Sequence, residues 1–237
     1  QFSLWVLFGW KRADGTRRFR TSYLEVARKN GKTTQAAGVG LYLLVADNEP
    51  GAEIYTAATK RDQAKIAHAE ATRMVKASPQ LRRECQVYRD NIHIPGTASK
   101  FEPLGSDANT TDGLNPQGVI IDELHAHKSR DLWDVLETAT GARRQALIYA
   151  ITTAGSDRQS LCFQQHEYTE KILDGIIQDD TYHGLIYALD DGDDWTDERT
   201  WIKANPNLGV SKKVDDMRLK AARARQMPAA LTAFLRL

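Results

Sequence analysis

The chain has 237 residues, 32 of them basic and 31 acidic, for a formal charge of +1, and it is long enough for one large domain, or one domain with a small appendage, that folds without staples. Its 41% hydrophobic and 27% charged content excludes collagen-like and disordered chains, and no apolar run reaches the roughly 18 residues of a membrane span. The start lacks the layout of a signal peptide and does not open on Met, as a fragment would not.

In chain order, a basic run (Lys11, Arg12, Arg17, Arg18, Arg20) precedes TSYLEVA at 21–27, which reads as a strand. A loop and a mostly apolar stretch to Ala46 then read as loop and helix. Residues 53–58 (EIYTAA) predict a second strand, and 60–77 a helix with Ile66, Ala69, Met74 and Val75 as its core face. Thr59 and Asp62 have capping-box spacing at that helix's start. From 78 to 117, Pro79, Pro95, Gly96, Pro103, Gly105, Gly113 and Pro116 punctuate short antiparallel strands and loops.

Three apolar runs follow, 118–122 (GVIID), 147–152 (LIYAIT) and 184–189 (GLIYAL), each reading as a strand buried on both faces. Strands alternating with helices imply an α/β fold, a mainly parallel central sheet flanked by helices, with ligands at the carboxyl ends of the strands. After Asp190 the texture changes to an acidic loop, an Asn205-Pro206-Asn207 turn and a basic helix at 214–226. The expected division is a core over 1–189 and a small helical unit over 190–237. Cys85 and Cys162 lack metal-like spacing and fit a reducing compartment.

Net charge gives no pull toward nucleic acid, so function must come from motifs. Arg28-Lys29-Asn30-Gly31-Lys32-Thr33-Thr34 lies between a predicted strand and a predicted helix. A phosphate-binding loop needs a tight turn whose backbone N–H groups face phosphate, a Lys for the β- and γ-phosphates and a hydroxyl for Mg²⁺. Gly31, Lys32 and Thr33 supply these in order, although Val26 stands where the usual pattern has its first Gly. The acid pair Asp122-Glu123 ends an apolar strand, with Asp122 suited to hold Mg²⁺ and Glu123 to act as general base on the attacking water. Thr152 or Thr153, at the end of the next strand, suits a γ-phosphate sensor. His125 and His127 read as a helix start beside the nucleotide site, and Asp190–Asp194 as a flexible acidic loop, in preference to metal or nuclease sites.

These residues resemble the large terminase subunits of tailed bacteriophages. The loop Val26–Thr33, with its missing first glycine and internal Arg28, is similar to that family's variant Walker A. Asp112-Gly113-Leu114-Asn115-Pro116 leading into Val119–His125 is similar to its Walker B region, Thr152-Thr153-Ala154 to its coupling motif, and Trp201–Gly209 to a stretch downstream of the ATPase core. The resemblance implies a P-loop NTPase of the catalytic-glutamate type, in which Arg28–Thr34 cradle ATP, Thr33 and Asp122 hold Mg²⁺, Glu123 is catalytic and Arg28 senses or couples. It implies ATP-driven translocation of double-stranded DNA into a procapsid, with the portal protein, the small terminase subunit and a homo-oligomeric ring as partners in the host cell cytoplasm and no membrane. An arginine finger from a neighbouring subunit has no match between Lys100 and Glu123, which leaves Arg130, Arg143 or Arg144. On this resemblance, 190–237 is a lid or linker toward a nuclease domain that the chain lacks. A helicase-like ATPase and a non-motor nucleotide switch are the rival readings.

Overall fold

The computed structural model describes residues 1–104, 113–155 and 157–235; Gly105 and Asp112, named above, lie outside the described residues. In chain order the elements are α1 (Phe2–Gly9), β1 (Thr21–Glu25), α2 (Lys32–Val45), β2 (Glu53–Ala57), α3 (Arg61–Ala77), α4 (Pro79–Glu84), β3 (Gln86–Val87), β4 (Ile92–Ile94) and β5 (Ser99–Pro103). Then follow β6 (Pro116–Asp122), α5 (Asp131–Ala139), β7 (Leu147–Thr152), α6 (Leu161–Leu173), β8 (Tyr182–Ile186), α7 (Trp201–Ala204), α8 (Val214–Gln226) and α9 (Pro228–Phe234).

Among the described residues, the strands form one eight-stranded sheet in the order β3-β4-β5-β2-β6-β7-β1-β8. From β5 to β8 every neighbour is parallel, and β3 and β4 add an antiparallel edge. The apolar runs of β6 and β7 are buried along their length, as a parallel sheet covered on both faces requires. β7 stands between β1 and β6, so the strand leading to the glycine loop and the strand ending in the acid pair are not neighbours.

Helix α2 runs through the core, packing on α3 and, among the strands, chiefly on β6. A Cβ at Gly118 of β6 would stand 2.5 Å from Leu43 Cδ1 of α2, so the absence of a side chain there sets how near the helix comes to the strand. On its outer side α2 carries α1, with the Phe8 and Tyr42 ring centroids 4.1 Å apart. No described helix is long and apolar enough to cross a membrane. Cys85 and Cys162 are buried free thiols.

Several local expectations are corrected. The core face of α3 is Ala64, Ala67, His68, Ala71 and Val75, while Ile66 is half exposed at 54%. Small side chains let the helix sit close to α2 and the sheet, a packing demand that hydrophobicity alone does not report. The capping box does not form either: Lys60 is the N-cap, without a side-chain cap, and Thr59 Oγ1 donates to Gln63 Oε1 instead. The last strand lies at Tyr182–Ile186 rather than 184–189, because its register is set by pairing with β1 from Thr21↔Tyr182 to Glu25↔Ile186.

The strands' amino-terminal ends are tied by a buried polar network. Arg17, fully buried, pairs with Asp47 at 2.9 Å and donates to the carbonyls of Phe19 and Gln145. Asp47 Oδ2 also accepts from Gln117 Nε2 at 2.6 Å. Two more members of the first basic run are absorbed into the fold, while Lys11 and Arg12 stay exposed: Arg18 pairs with Asp180 and lies over Trp10, and Arg20 donates to the carbonyls of Thr140, Arg143 and Arg144.

Buried His183 of β8 lies 2.9 Å from Ser22 Oγ, and burial pulls its pKa down to about 4. The folded protein keeps this imidazole neutral where the unfolded chain takes up a proton. Its contribution is therefore fully present above about pH 6.5 and is lost as pH falls toward 4, by about 3 kcal/mol in all. Urea unfolding of wild type and His183→Asn at pH 7 and pH 4.5 tests this. The gap between the two proteins is expected to shrink at low pH, and a pH-independent gap would contradict the assignment.

Beyond β8 the chain builds a second, small core, in which Trp201, Met217, Ala221, Ala224 and Phe234 pack with Trp195, Leu208 and Leu231.

Candidate active site

β1 is held in register between β7 and β8, so the backbone leaves it at a fixed point on the carboxyl edge of the sheet. Val26 N still donates to Thr152 O at 3.1 Å. The loop then turns back through two left-handed residues, Lys29 (φ 68°) and Gly31 (φ 80°), and α2 begins at Lys32. Gly31 adopts this conformation without a Cβ penalty, whereas Lys29 does not. The result is a helix N-terminus facing the open edge of the sheet, a natural seat for phosphate. Arg28, Lys29, Gly31, Lys32, Thr33 and Thr34 line one pocket there with Glu123 and Ser211.

Lys32 is buried and folds back so that Nζ donates to Val26 O at 3.0 Å and Ala27 O at 3.4 Å. Burial lowers its pKa, and the fields of Glu123 and Asp122 oppose that shift. Lysine and acid pair thus act on one another across the pocket. Asn30 behaves differently from its neighbours. Its side chain turns away from the pocket wall, Nδ2 donating to Asn205 Oδ1 at 2.9 Å and Oδ1 accepting from Asn207 N at 3.0 Å, so only its backbone is left for phosphate.

The acid pair sits where β6 ends. Asp122 Oδ1 accepts from Glu123 N at 2.8 Å; burial first, then the Glu123 charge, push its pKa up to about 6, against the pull of that hydrogen bond and of Lys32. Glu123 is left-handed (φ 51°, ψ 52°) and starts a single 3₁₀ turn, Leu124–Ala126. A non-glycine residue held there costs of order 1–3 kcal/mol, and the kink turns the second carboxylate off the strand axis into the pocket. Glu123 Oε2 lies 3.2 Å from His125 Nδ1, but it is buried without a well-formed hydrogen bond, an acceptor that suits a water or a ligand.

Thr152 and Thr153 are buried and are not on the pocket wall. Thr152 Oγ1 accepts from His125 N at 3.1 Å and donates to Thr153 O at 2.9 Å, and His125 Nδ1 lies 3.1 Å from Thr152 Oγ1 and 3.4 Å from Thr153 Oγ1. His125 is therefore the link from the acid pair to the end of β7. The sequence placed it beside the site without giving it this part; its position two residues after Glu123 was the available signal. Likewise, a buried cluster at the end of β1, in which Glu25 accepts from Tyr23 OH at 2.6 Å and lies 3.1 Å from His166 Nδ1, left no mark in the motif pattern.

The three arginines separate. Arg143 donates to the carbonyls of Asn115, Pro50 and Gly51, and Arg144 to that of Asp14, all at the end of the sheet remote from the pocket. Arg130, just before α5, is exposed, pairs with Asp134 at 2.8 Å and reaches Gln164. In the acidic loop, Asp190 and Asp193 both hold Lys203, while Asp194 binds Thr196. Among the described residues no group of three or more His, Cys, Asp or Glu side chains is placed to hold a metal ion.

The profile described as terminase large subunit, ATPase domain, matches residues 1–171, and that described as terminase large subunit, endonuclease domain, matches 176–237. The second match takes in the residues read above as a lid or linker unit, 190–237. Here the whole segment matched by that profile supplies β8 of the ATPase sheet and the small C-terminal core. The large terminase subunit of Enterobacteria phage HK97 is 29% identical over 220 residues, covering 86% of this chain and 41% of that protein. The protein YmfN of Escherichia coli K12 is 43% identical over 100 residues, covering 42% of this chain and 22% of that protein. The crystal structure of the HK97 large terminase superposes with a TM-score of 0.85 at 26% identity, covering 100% of this chain and 48% of that one. The large terminase of a thermophilic bacteriophage, in a structure with ADP, gives a TM-score of 0.57 at 15% identity over 84% of this chain and 48% of that one. The chain spans less than half the length of the curated relatives it matches.

Proposed function

We propose that this chain, which belongs to the terminase large subunit family through its ATPase domain, hydrolyses ATP with Mg²⁺, and that in the whole protein this hydrolysis drives double-stranded DNA into a procapsid. The observation that carries the reading is the convergence on one pocket of a helix N-terminus, Lys32 and Glu123, with Asp122 near enough for its charge and that of Lys32 to act on one another. The donors fit the group expected: Asp122 and the Thr33 hydroxyl are the hard oxygen ligands that Mg²⁺ takes. When bound, Mg²⁺ supplies neutralisation of charge on the phosphates.

The chain's own residues do the rest. Lys32 leaves the carbonyls of Val26 and Ala27 for the β- and γ-phosphates, while Gly31, Thr33 and Thr34 present the helix terminus to them. Glu123 orients the attacking water and takes its proton, with Oε2 as the acceptor. Arg28, on the same wall, responds to the γ-phosphate, and His125 relays the state of Glu123 to Thr152 and Thr153. Among the candidate arginines, Arg130 is the one suited to reach a neighbouring subunit's site. Residues 190–237 serve as lid and linker, and the partners are the portal protein, the small terminase subunit and further copies of the chain in a ring, in the host cytoplasm. The match to the terminase ATPase domain disfavours the helicase-like and switch readings.

Lys32→Ala is expected to lower steady-state ATP hydrolysis by at least about 100-fold, the scale of removing a preorganised electrostatic group. Phosphate release assayed on purified protein measures it, and turnover within a few-fold of wild type would remove the central assumption. Stimulation of the full-length protein by double-stranded DNA and procapsids tests the motor.

A further inference from the structure

The loop between β1 and α2 is held by a segment some 175 residues further along the chain, of which Ser211 also reaches the edge of the pocket. Ser211 Oγ donates to Lys29 O at 2.6 Å, Asn207 Nδ2 to Asn30 O at 3.2 Å, and Lys212 Nζ to Arg28 O at 3.2 Å. Asn30 Nδ2 also closes on Ala27 O at 3.0 Å and Arg28 O at 3.3 Å. Every carbonyl from Ala27 to Asn30 therefore has a side-chain donor. The gripping residues are themselves anchored. Asn205 and Lys212 are almost wholly buried, Asn205 Nδ2 donates to Trp201 O at 3.3 Å, and Trp201 belongs to the second core.

A simple contact between two units needs no such pattern. A phosphate-binding loop does, because all peptides here are trans and in a trans peptide the carbonyl and the following N–H point in opposite directions. Fixing the carbonyls of Arg28, Lys29 and Asn30 against the C-terminal segment turns the N–H groups of Lys29, Asn30 and Gly31 away from it. In the usual loop, glycines let the backbone take that shape unaided. This loop has Val26 in place of the first glycine and Lys29 in the left-handed region, so its shape must be imposed from outside.

We propose that Asn207, Ser211 and Lys212 are positioning residues of the ATP site, forming the outer half of the phosphate-binding loop and aiming its N–H groups at the phosphates of a nucleoside triphosphate. The inference rests on the ATPase reading and deepens it. Part of the nucleotide site then lies in the segment that matches the endonuclease-domain profile.

The test uses the 237-residue chain, a fluorescent ATP analogue with Mg²⁺, and steady-state hydrolysis. Ser211 is exposed, so its truncation spares the fold. Ser211→Ala and Asn207→Ala are each expected to weaken nucleotide affinity about threefold to tenfold, the scale of one hydrogen bond, and the double variant more than either. KM should rise with kcat nearly unchanged, since these groups shape binding without touching the reacting atoms. Ser211→Thr keeps the hydroxyl and should restore affinity. Arg218→Ala removes only a surface pairing with Glu198 and Asp215 and should bind as wild type. If the double variant fails to fold, Ser211→Ala against Ser211→Thr decides alone. Wild-type affinity in Ser211→Ala and Asn207→Ala, with Lys32→Ala defective, would overturn this inference and leave the ATPase standing; wild type and Lys32→Ala both failing to bind nucleotide would overturn both.

Discussion

Glu123→Gln is expected to hydrolyse ATP about 10²- to 10⁴-fold more slowly than wild type, the usual contribution of a general base, while still binding nucleotide with Mg²⁺. The amide has the same size and keeps the kink at φ 51°, but it has no lone-pair carboxylate oxygen to take a proton. Asp122→Asn should fail in a different way. Asp122 is half-buried at the strand end and on the proposed reading serves metal rather than water, so its loss should weaken the Mg²⁺ dependence of binding itself. Single-turnover hydrolysis and a Mg²⁺ titration of nucleotide affinity separate the two. A loss below about threefold in Glu123→Gln would sink the assignment of the base, and indistinguishable phenotypes would sink the division of labour.

Asp47→Ala is expected to destabilise the fold by about 3–5 kcal/mol, because it leaves the Arg17 guanidinium buried without its counter-charge. Asp180→Ala is the matched control. Asp180 pairs with Arg18, but its side chain is 85% exposed, and a surface ion pair is worth about 0–1 kcal/mol. Urea midpoints of the two variants should therefore differ widely. Equal midpoints would show that the network at the amino-terminal ends of the strands is replaceable by water. Since that network ties the approaches to β1, β6 and β7 together at Arg17, Gln117 and Gln145, weak denaturant should also release nucleotide early.

The parts of the molecule legible in the sequence were those whose signal is local. The β7 run and the basic helix α8 appear at the residues expected, because an unbroken apolar hexapeptide and a charged amphipathic stretch each have one reasonable home. Gly31-Lys32-Thr33 and Asp122-Glu123 were likewise readable, since their chemistry demands those residue types in that order. Helix α1 was missed. FSLWVLFG is apolar on all sides, so no helical period marks it, and it is a helix because Phe8 finds Tyr42 on α2. The exposed face of α3 was misjudged at Ile66 for the complementary reason: the face that packs inward is made mostly of alanines, Ala64, Ala67 and Ala71. What binds Asn30 to Asn205 and Asn207 lies 175 to 177 positions away, and no window along the chain can contain it.

Gly118 has one more bearing on the chemistry. Its missing side chain lets Leu43 rest on β6, and α2 and β6 carry the two halves of the proposed ATP site at their ends, Lys32 and Thr33 on the helix, Asp122 on the strand. The pair works as a caliper whose jaw opening is fixed at the hinge. A methyl group at position 118 would press on Leu43 and Ile54 well below the pocket, so the packing of helix on strand would have to give there without any change in the residues that line the pocket.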